Sequence, residues 1–259
     1  MKHILITNDD GYDSKGLLAL VEALKPLAKI TVVAPTTEKS ACGHSLTLTR
    51  PLNFVEVSPD FYKLDDGTPT DCVFLSLNKI FTQNQKPDLV ISGINIGSNM
   101  GEDITYSGTA SAAMEAVLHG IPAIAISQVY ANGKESIQTH GYGLAQESIV
   151  TLVEKIFNES FPLAARQFLN VNIPPIASSQ AKGFKVTRAG QKKYSFNAEV
   201  HLNPRGVEYY WIGLPNLEWL PTKGHTTDFE AINQGYISLT PVMLDMTAHK
   251  SIETLDSWL

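Results

Sequence analysis

Residues 3–11 read HILITNDDG, an apolar run rich in β-branched residues that stops on an amide, two carboxylates and a glycine. The run predicts a strand, His3–Thr7, and its lack of polar alternation predicts burial on both faces. Asn8-Asp9-Asp10-Gly11 predicts a turn, because glycine takes backbone conformations that other residues avoid. Leu17, Leu20, Val21 and Leu24 then recur at helical spacing, with Asp13 or Ser14 able to cap the helix. Strand, polar turn and amphipathic helix in immediate succession are the unit from which parallel α/β sheets are built.

The alternation continues along the chain. A strand is expected over 30–34, closed by Pro35, and Thr70 is expected to cap a helix whose apolar face is Val73, Phe74, Leu77 and Phe81. Strands follow over 89–92, 121–127 and 168–173, separated by helices near 109–119 and 144–157. This pattern predicts a mostly parallel sheet wrapped on both faces. After Pro174-Pro175 the texture changes: 184–188, 200–202 and 209–214 read as hairpin strands with no helix between them. A short helix over Asp228–Asn233, a strand over 236–240 and a terminal helix over 251–259 complete the reading. Residues 1–175 are therefore expected to form the catalytic region, and 176–259 an antiparallel, β-rich extension ending in a helix.

The 259 residues carry 20 Lys+Arg and 26 Asp+Glu, a net charge of −6. That balance argues against a nucleic-acid polymer as partner, since a phosphate backbone calls for a basic surface. It also sits badly with any phosphorylated substrate unless a cation supplies the missing charge. Cys42 and Cys72 lie in no CxxC pattern and read as thiols of a reducing compartment. No stretch approaches the ~20 apolar residues of a membrane span, and the N-terminus lacks signal-peptide character. A cytoplasmic protein without a membrane partner is expected.

In open α/β sheets ligands bind beyond the carboxyl ends of the strands, and four such ends carry polar sequence. At the first, Asp9 and Asp10 repel each other unless a cation or proton lies between them, and Mg²⁺ or Mn²⁺ suits their oxygens; an ordinary Asx-rich turn accounts for the same residues. At the second, the 36–45 loop carries Ser40, Cys42, His44 and Ser45. A loop serine there ligates a metal, binds phosphate or is simply loop composition, and His44 is a candidate general acid. At the third, GINIGSNMG (93–101) sets Asn95 between glycines, where it offers a carbonyl oxygen to a cation or merely makes a turn. At the fourth, YSGTASAAME (106–115) opens a helix of very small residues, and its N-terminus near Ser107, Gly108 and Thr109 is suited to phosphate or to tight packing. GxGxxG, GxxxxGK[ST], HExxH and GxSxG signatures are missing from the chain.

Taken together these segments closely resemble the stationary-phase survival family, SurE, of metal-dependent 5′/3′-nucleotidases and acid phosphatases. The resemblance rests on ILITNDDGYDSKGL (4–17), VVAP (32–35), KSACGHSLTLT (39–49), GTPTDCV (67–73), the long run 88–116, IPAIAIS (121–127), LNVNIPP (169–175) and TDFEAINQGYISLTPV (227–242). It implies a Rossmann-like three-layer α/β fold with a C-terminal β-rich hairpin extension that exchanges between subunits of a homodimer or homotetramer. It implies one divalent metal ion per subunit, Mg²⁺ or Mn²⁺, held by Asp9, Asp10, Ser40 and Asn95, with Asp9 and Asp10 catalytic. Asn8, Asn95, Ser107, Gly108 and Thr109 are implied as phosphate contacts. The implied reaction is hydrolysis of nucleoside 5′-monophosphates, with 3′-monophosphates also in reach. Alternatives are exopolyphosphatase or broad acid phosphatase activity, or nucleotide binding without turnover. Two segments depart from the family's usual spelling: Thr36-Thr37-Glu38 stands where Asp-Arg-Asn is common, and Ala110-Ser111 where Val-Gly is common.

Overall fold

Ile4 and Ile6 face one side of the first strand and Leu5 the other, and each is fully buried. A strand covered on both faces belongs inside a layered sheet, and that is where the computed structural model of the chain places it. Described are residues 1–81, 85–130, 139–193, 198–212, 218–221 and 223–259.

β1 (His3–Thr7), α1 (Lys15–Leu24) and β2 (Lys29–Pro35) make the first unit. A hairpin of β3 (Asn53–Ser58) and β4 (Phe61–Asp65) follows. Then come α2 (Pro69–Leu75), β5 (Leu89–Ile96), α3 (Gly108–Leu118), β6 (Ala123–Gln128), α4 (Gly143–Glu159) and β7 (Gln167–Ile173). The remainder holds β8 (Phe184–Val186), β9 (Gln191–Lys193), β10 (Ala198–Leu202), β11 (Glu208–Ile212) and β12 (Glu218–Leu220). It closes with α5 (Asp228–Asn233), β13 (Ile237–Met243) and α6 (Ile252–Trp258).

A nine-stranded sheet runs β3-β4-β2-β1-β5-β6-β7-β13-β8. From β4 to β7 the strands are parallel, and pairing is antiparallel at β3–β4 and β7–β13. Leu17, Leu20 and Leu24 of α1 with Ile149 and Val153 of α4 cover one face; Val73 of α2 with Ala112 and Ala116 of α3 cover the other. The chain leaves β1 toward β2 on one side and returns through β5 on the other. The ends of β1 and β5 therefore flank a switch point, where such sheets form ligand clefts.

The structure corrects several local expectations. Thr68, not Thr70, caps α2: its side chain accepts from the Asp71 amide, and Asp71 returns a bond to the Thr68 amide. Pro69 at the first helical position suits that box, having no N–H to satisfy and a helical φ. The helix also ends at Leu75, continuing only as a π-turn over Ser76–Ile80. The strand expected over 89–92 runs on to Ile96, with its pairing to β6 broken between Ser92 and Asn95, so Asn95 sits in an irregular strand end rather than beyond it. The hairpin β3–β4 escaped the sequence reading altogether. Of the strand expected over 209–214, residues 213 and 214 lie outside the described residues. Beyond residue 175 the chain adds β13 and β8 to the main sheet and forms two separate ribbons, β10–β11 and β9–β12.

One carboxylate links the later residues to the switch point. Asp228 is fully buried and accepts from the amides of Gly101 (2.7 Å), Gly190 (3.0 Å) and Phe229 (2.9 Å). Asp228→Ala strands these donors away from water, at about 1–3 kcal/mol for each unsatisfied group. We expect the melting temperature to fall by roughly 10 °C or more, given about 2–4 °C per kcal/mol for a chain of this size. A thermal melt within a degree or two of the parent would refute that role.

Candidate metal and phosphate site

The NDDG turn is built by its own side chains. Asn8, fully buried, donates through Nδ2 to the Gly11 carbonyl (2.9 Å) and to Ser14 Oγ (2.8 Å). Ser14 Oγ in turn accepts from Leu17 N and caps α1. The amide nitrogen of Asn8 is thus spent on the turn, while its Oδ1 is buried with no hydrogen-bond partner among the described residues. Gly11 adopts a φ of 104°, the left-handed region that the turn requires.

Because the turn follows a buried strand, its carboxylates emerge at the switch point. Asp9 is only 4% exposed. Its Oδ1 accepts from Thr109 Oγ1 at 2.6 Å and its Oδ2 from the Thr109 amide at 3.1 Å. Asp10 Oδ2 accepts from the Ile96 amide at 3.1 Å, which sets it beside Asn95 at the end of β5. Asn95 Nδ2 donates to the Gly97 carbonyl at 2.9 Å, and Tyr130, just beyond β6, donates its hydroxyl to the Ile96 carbonyl at 2.9 Å.

The first turn of α3 meets Asp9 at close range. Ser107 caps the helix, accepting from the Ala110 amide at 3.0 Å. A Cβ built on Gly108 would lie 2.8 Å from Asp9 Cβ and 3.0 Å from Cys42 Sγ, so only glycine permits the approach. The 36–45 loop reaches the same junction from β2: the Lys39 amide donates to the Asp9 carbonyl at 2.7 Å. Ser40 is exposed, and its hydroxyl donates to Glu38 Oε1 at 2.7 Å. The structure therefore brings Asn8, Asp9, Asp10, Asn95, Ser107, Gly108 and Thr109 to one place, with Ser40 next in the chain to Lys39, which bonds Asp9, and its hydroxyl turned to Glu38. His44 lies against α3 instead, with Nε2 2.9 Å from Glu115 Oε2.

The electrostatics are those of an acidic hollow. Burial pushes the Asp9 carboxyl above its usual range against the pull of the Thr109 hydrogen bonds, and the charge of Glu38 acts in the same upward direction. Burial, then Asp10 and Glu38, raise the Tyr130 hydroxyl, and burial with Asp9 lifts the Cys42 thiol to about 11. A cation among these groups would offset the mutual repulsion of Asp9, Asp10 and Glu38. The oxygen set fits a hard divalent ion: two carboxylates, the Asn95 amide oxygen and the Ser40 hydroxyl, each oxygen with lone pairs beyond its present hydrogen bond. Among the described residues no group of three or more His, Cys, Asp or Glu is arranged for a metal, so the amide and hydroxyl are needed to complete the set.

Tyr130 carries a signal in the sequence only by standing just past the carboxyl end of a strand, and no role attaches to it there. Glu38 stands in the 36–38 departure from the family's spelling, but only the fold of the loop turns it toward Ser40.

An α/β protein with an acidic, oxygen-rich cluster at the switch point of its sheet is the class that the fold and site define. The family model described as Survival protein SurE matches residues 4–196. The chain belongs to the SurE family. A protein of Sulfurovum sp. (strain NBC37-1) named 5′-nucleotidase SurE is 73% identical over 258 residues, spanning 100% of this chain and 98% of its own. One of the same name from Aliarcobacter butzleri (strain RM4018) is 60% identical over 260 residues, spanning 100% of this chain and 99% of its own. The crystal structure of SurE protein from Aquifex aeolicus superposes with a TM-score of 0.83 at 42% identity, covering 99% of each chain.

Proposed function

We propose that this chain is a divalent-metal-dependent 5′-nucleotidase, a phosphomonoesterase that splits nucleoside 5′-monophosphates, with 3′-monophosphates also in reach, into nucleoside and phosphate. The observation that carries the reading is the junction of Asp9 with α3. A nearly buried carboxylate at a strand end is seated on a helix N-terminus, with a second carboxylate beside it. High identity over the whole length to relatives named 5′-nucleotidase supports the same conclusion.

Asp9, Asp10, Asn95 and Ser40 would hold one Mg²⁺ or Mn²⁺ per subunit. When bound, such an ion neutralises charge on the phosphoryl oxygens and makes water a better nucleophile. One of these two carboxylates, Asp9 or Asp10, would take up the proton of the attacking water at a carboxylate oxygen. The N-terminal turn of α3, Ser107–Thr109, directs its dipole toward the transferring group; the Thr109 and Ala110 amides are already engaged with Asp9 and Ser107, so Gly108 offers the close backbone approach. Asn8 keeps the turn in shape through its bonds to the Gly11 carbonyl and Ser14 Oγ. The net charge of −6 is then no obstacle, because part of the acidity exists to recruit a cation.

The test is phosphate release from AMP and GMP, crossed with Mg²⁺ and Mn²⁺, against short polyphosphate and a generic phosphomonoester. Release from nucleotides only with added metal is expected. Faster release from polyphosphate would move the activity to that substrate, and binding of AMP without turnover would make the chain a nucleotide-binding protein. Ser40→Ala is expected to weaken activity less than loss of either aspartate, by roughly tenfold, since a neutral hydroxyl contributes one modest interaction. An effect as large as that of Asp10→Asn would contradict this ranking.

Residues 1–175 carry the site in this reading, and 176–259 serve chiefly in assembly of a homodimer or homotetramer. The β10–β11 ribbon supports that: Val200, Leu202, Tyr210, Trp211 and Ile212 are all exposed, an unusual share of apolar surface for an isolated hairpin. Leu255 and Trp258 of α6 are exposed as well. Light scattering is expected to return a mass of two or four subunits. A cytoplasmic location accords with two free thiols, Cys42 and Cys72; no described helix is long and apolar enough to cross a membrane.

A further inference from the structure

We propose that the His44–Glu115 pair ties the 40–45 loop to α3 and makes His44 a positioning residue for Ser40. The proposal rests on the reading of Ser40 as a metal ligand given above. Glu115 lies on α3, on the helix whose first turn holds Asp9, and its side chain is 7% exposed. Its Oε2 accepts from His44 Nε2 at 2.9 Å and its Oε1 from His119 Nε2 at 2.9 Å. Burial opposes charge on Glu115, but hydrogen bonds from His44 and His119 outweigh it and hold the carboxyl below its usual range. A carboxylate only accepts, so both imidazoles carry their hydrogen on Nε2.

The two histidines differ in what they connect. His119 is four residues from Glu115 and closes the C-terminal end of the same helix. His44 is 71 residues away and joins a loop to the helix. Between the Lys39 amide on Asp9 and the Gly43 amide on the Tyr106 carbonyl (3.0 Å), the loop arches past Gly108 with Ser40 and Cys42 on the arch. Ala41 and Gly43 have φ of 56° and 58°, so the arch is a tight reversal whose ends must be held. On the far side the Thr68 hydroxyl donates to the Ser45 carbonyl at 2.8 Å, and His44 joins the loop to α3 by a side-chain hydrogen bond, whereas Cys42 only packs against Gly108. Releasing it frees the arch to lift Ser40 from the switch point and to uncover Cys42.

Cys42 provides a readout that does not depend on catalysis, because Cys72 is fully buried and silent to reagents. The rate of Cys42 with an aromatic disulfide reagent is measured on the full chain without metal, and Mn²⁺ affinity is measured by calorimetry without substrate. His44→Ala is expected to speed the thiol reaction and weaken Mn²⁺ binding, each about tenfold, the change that loss of one hydrogen bond to a charged group carries. His44→Gln, whose amide still donates to Glu115, should return both to within about threefold of the parent, and His119→Ala should leave both within the same margin. Unchanged thiol reactivity in His44→Ala overturns the tie, as does equal loosening by His119→Ala or failure of the glutamine to rescue. A faster thiol reaction with Mn²⁺ affinity unchanged overturns the link to Ser40 while leaving Asp9 and Asp10 in place as ligands; loss of Mn²⁺ binding in Asp10→Asn tests those separately.

Discussion

Asp10→Asn lowers phosphate release from AMP by roughly 10³-fold at saturating Mn²⁺, about 4 kcal/mol of transition-state stabilisation, if the charge of that carboxylate holds the ion and assists the water. In Asp10→Asn the asparagine oxygen can still accept from the Ile96 amide that Asp10 holds at 3.1 Å. The fold should therefore survive, which circular dichroism and the melting temperature check. Asp9→Asn should lose at least as much, for a second reason. Asp9 accepts from both the amide and the hydroxyl of Thr109, and an asparagine turns a donor toward one of them. A loss of activity in Asp9→Asn is thus part charge and part geometry, whereas in Asp10→Asn it is charge. Near-parental turnover in Asp10→Asn would remove it from the metal set.

Gly108→Ala separates two physical effects that pull in opposite directions. In a helix, alanine is favoured over glycine by up to about 1 kcal/mol, and Gly108 is the first residue of α3. On propensity alone the variant gains stability. The contacts say otherwise: the new Cβ would meet Asp9 Cβ at 2.8 Å, Asp9 Oδ2 at 2.9 Å and Cys42 Sγ at 3.0 Å. Asp9 Cβ belongs to the end of a buried strand and cannot swing away, so the helix turn itself must back off. Overpacking of this kind costs about 1–3 kcal/mol, and a displacement approaching 1 Å at reacting groups costs on the order of 10²-fold in rate. The expected result is kcat/KM down by about two orders of magnitude with the melting temperature changed by only a few degrees. Full activity in Gly108→Ala would mean that the approach of α3 to Asp9 has no part in catalysis.

How much of this was legible beforehand depends on the range of the interaction concerned. His3–Thr7 was legible as a doubly buried strand because its central residues, Ile4, Leu5 and Ile6, are apolar without alternation, and its bounds match. α1 was legible, with its cap narrowed to Asp13 or Ser14, and the structure selects Ser14. The cap of α2 falls two residues before Thr70, because Thr68, Pro69 and Asp71 act together as one capping box. The β3–β4 hairpin went unread because its residues are mostly exposed, so no burial pattern marks them. Asn99, Asn170 and Asn172 looked like ordinary polar residues. In the fold the Asn99 carbonyl accepts from Asn170 at 2.7 Å and from Asn172 at 3.0 Å, and its amide donates to Asn172 Oδ1, fastening the loop beyond β5 to β7.

The sequence by itself determined the α/β class, the acidic turn at the end of β1 and the small-residue helix, because periodicity, turn chemistry and composition act between chain neighbours. Its motifs also carried the family resemblance, since those motifs are themselves contiguous. Only the tertiary structure decided which oxygens meet. Asp9 finds Thr109 across 100 residues, and Gly101 finds Asp228 across 127. Those meetings depend on strand order and on how closely a helix approaches a sheet, and no short window of sequence encodes either.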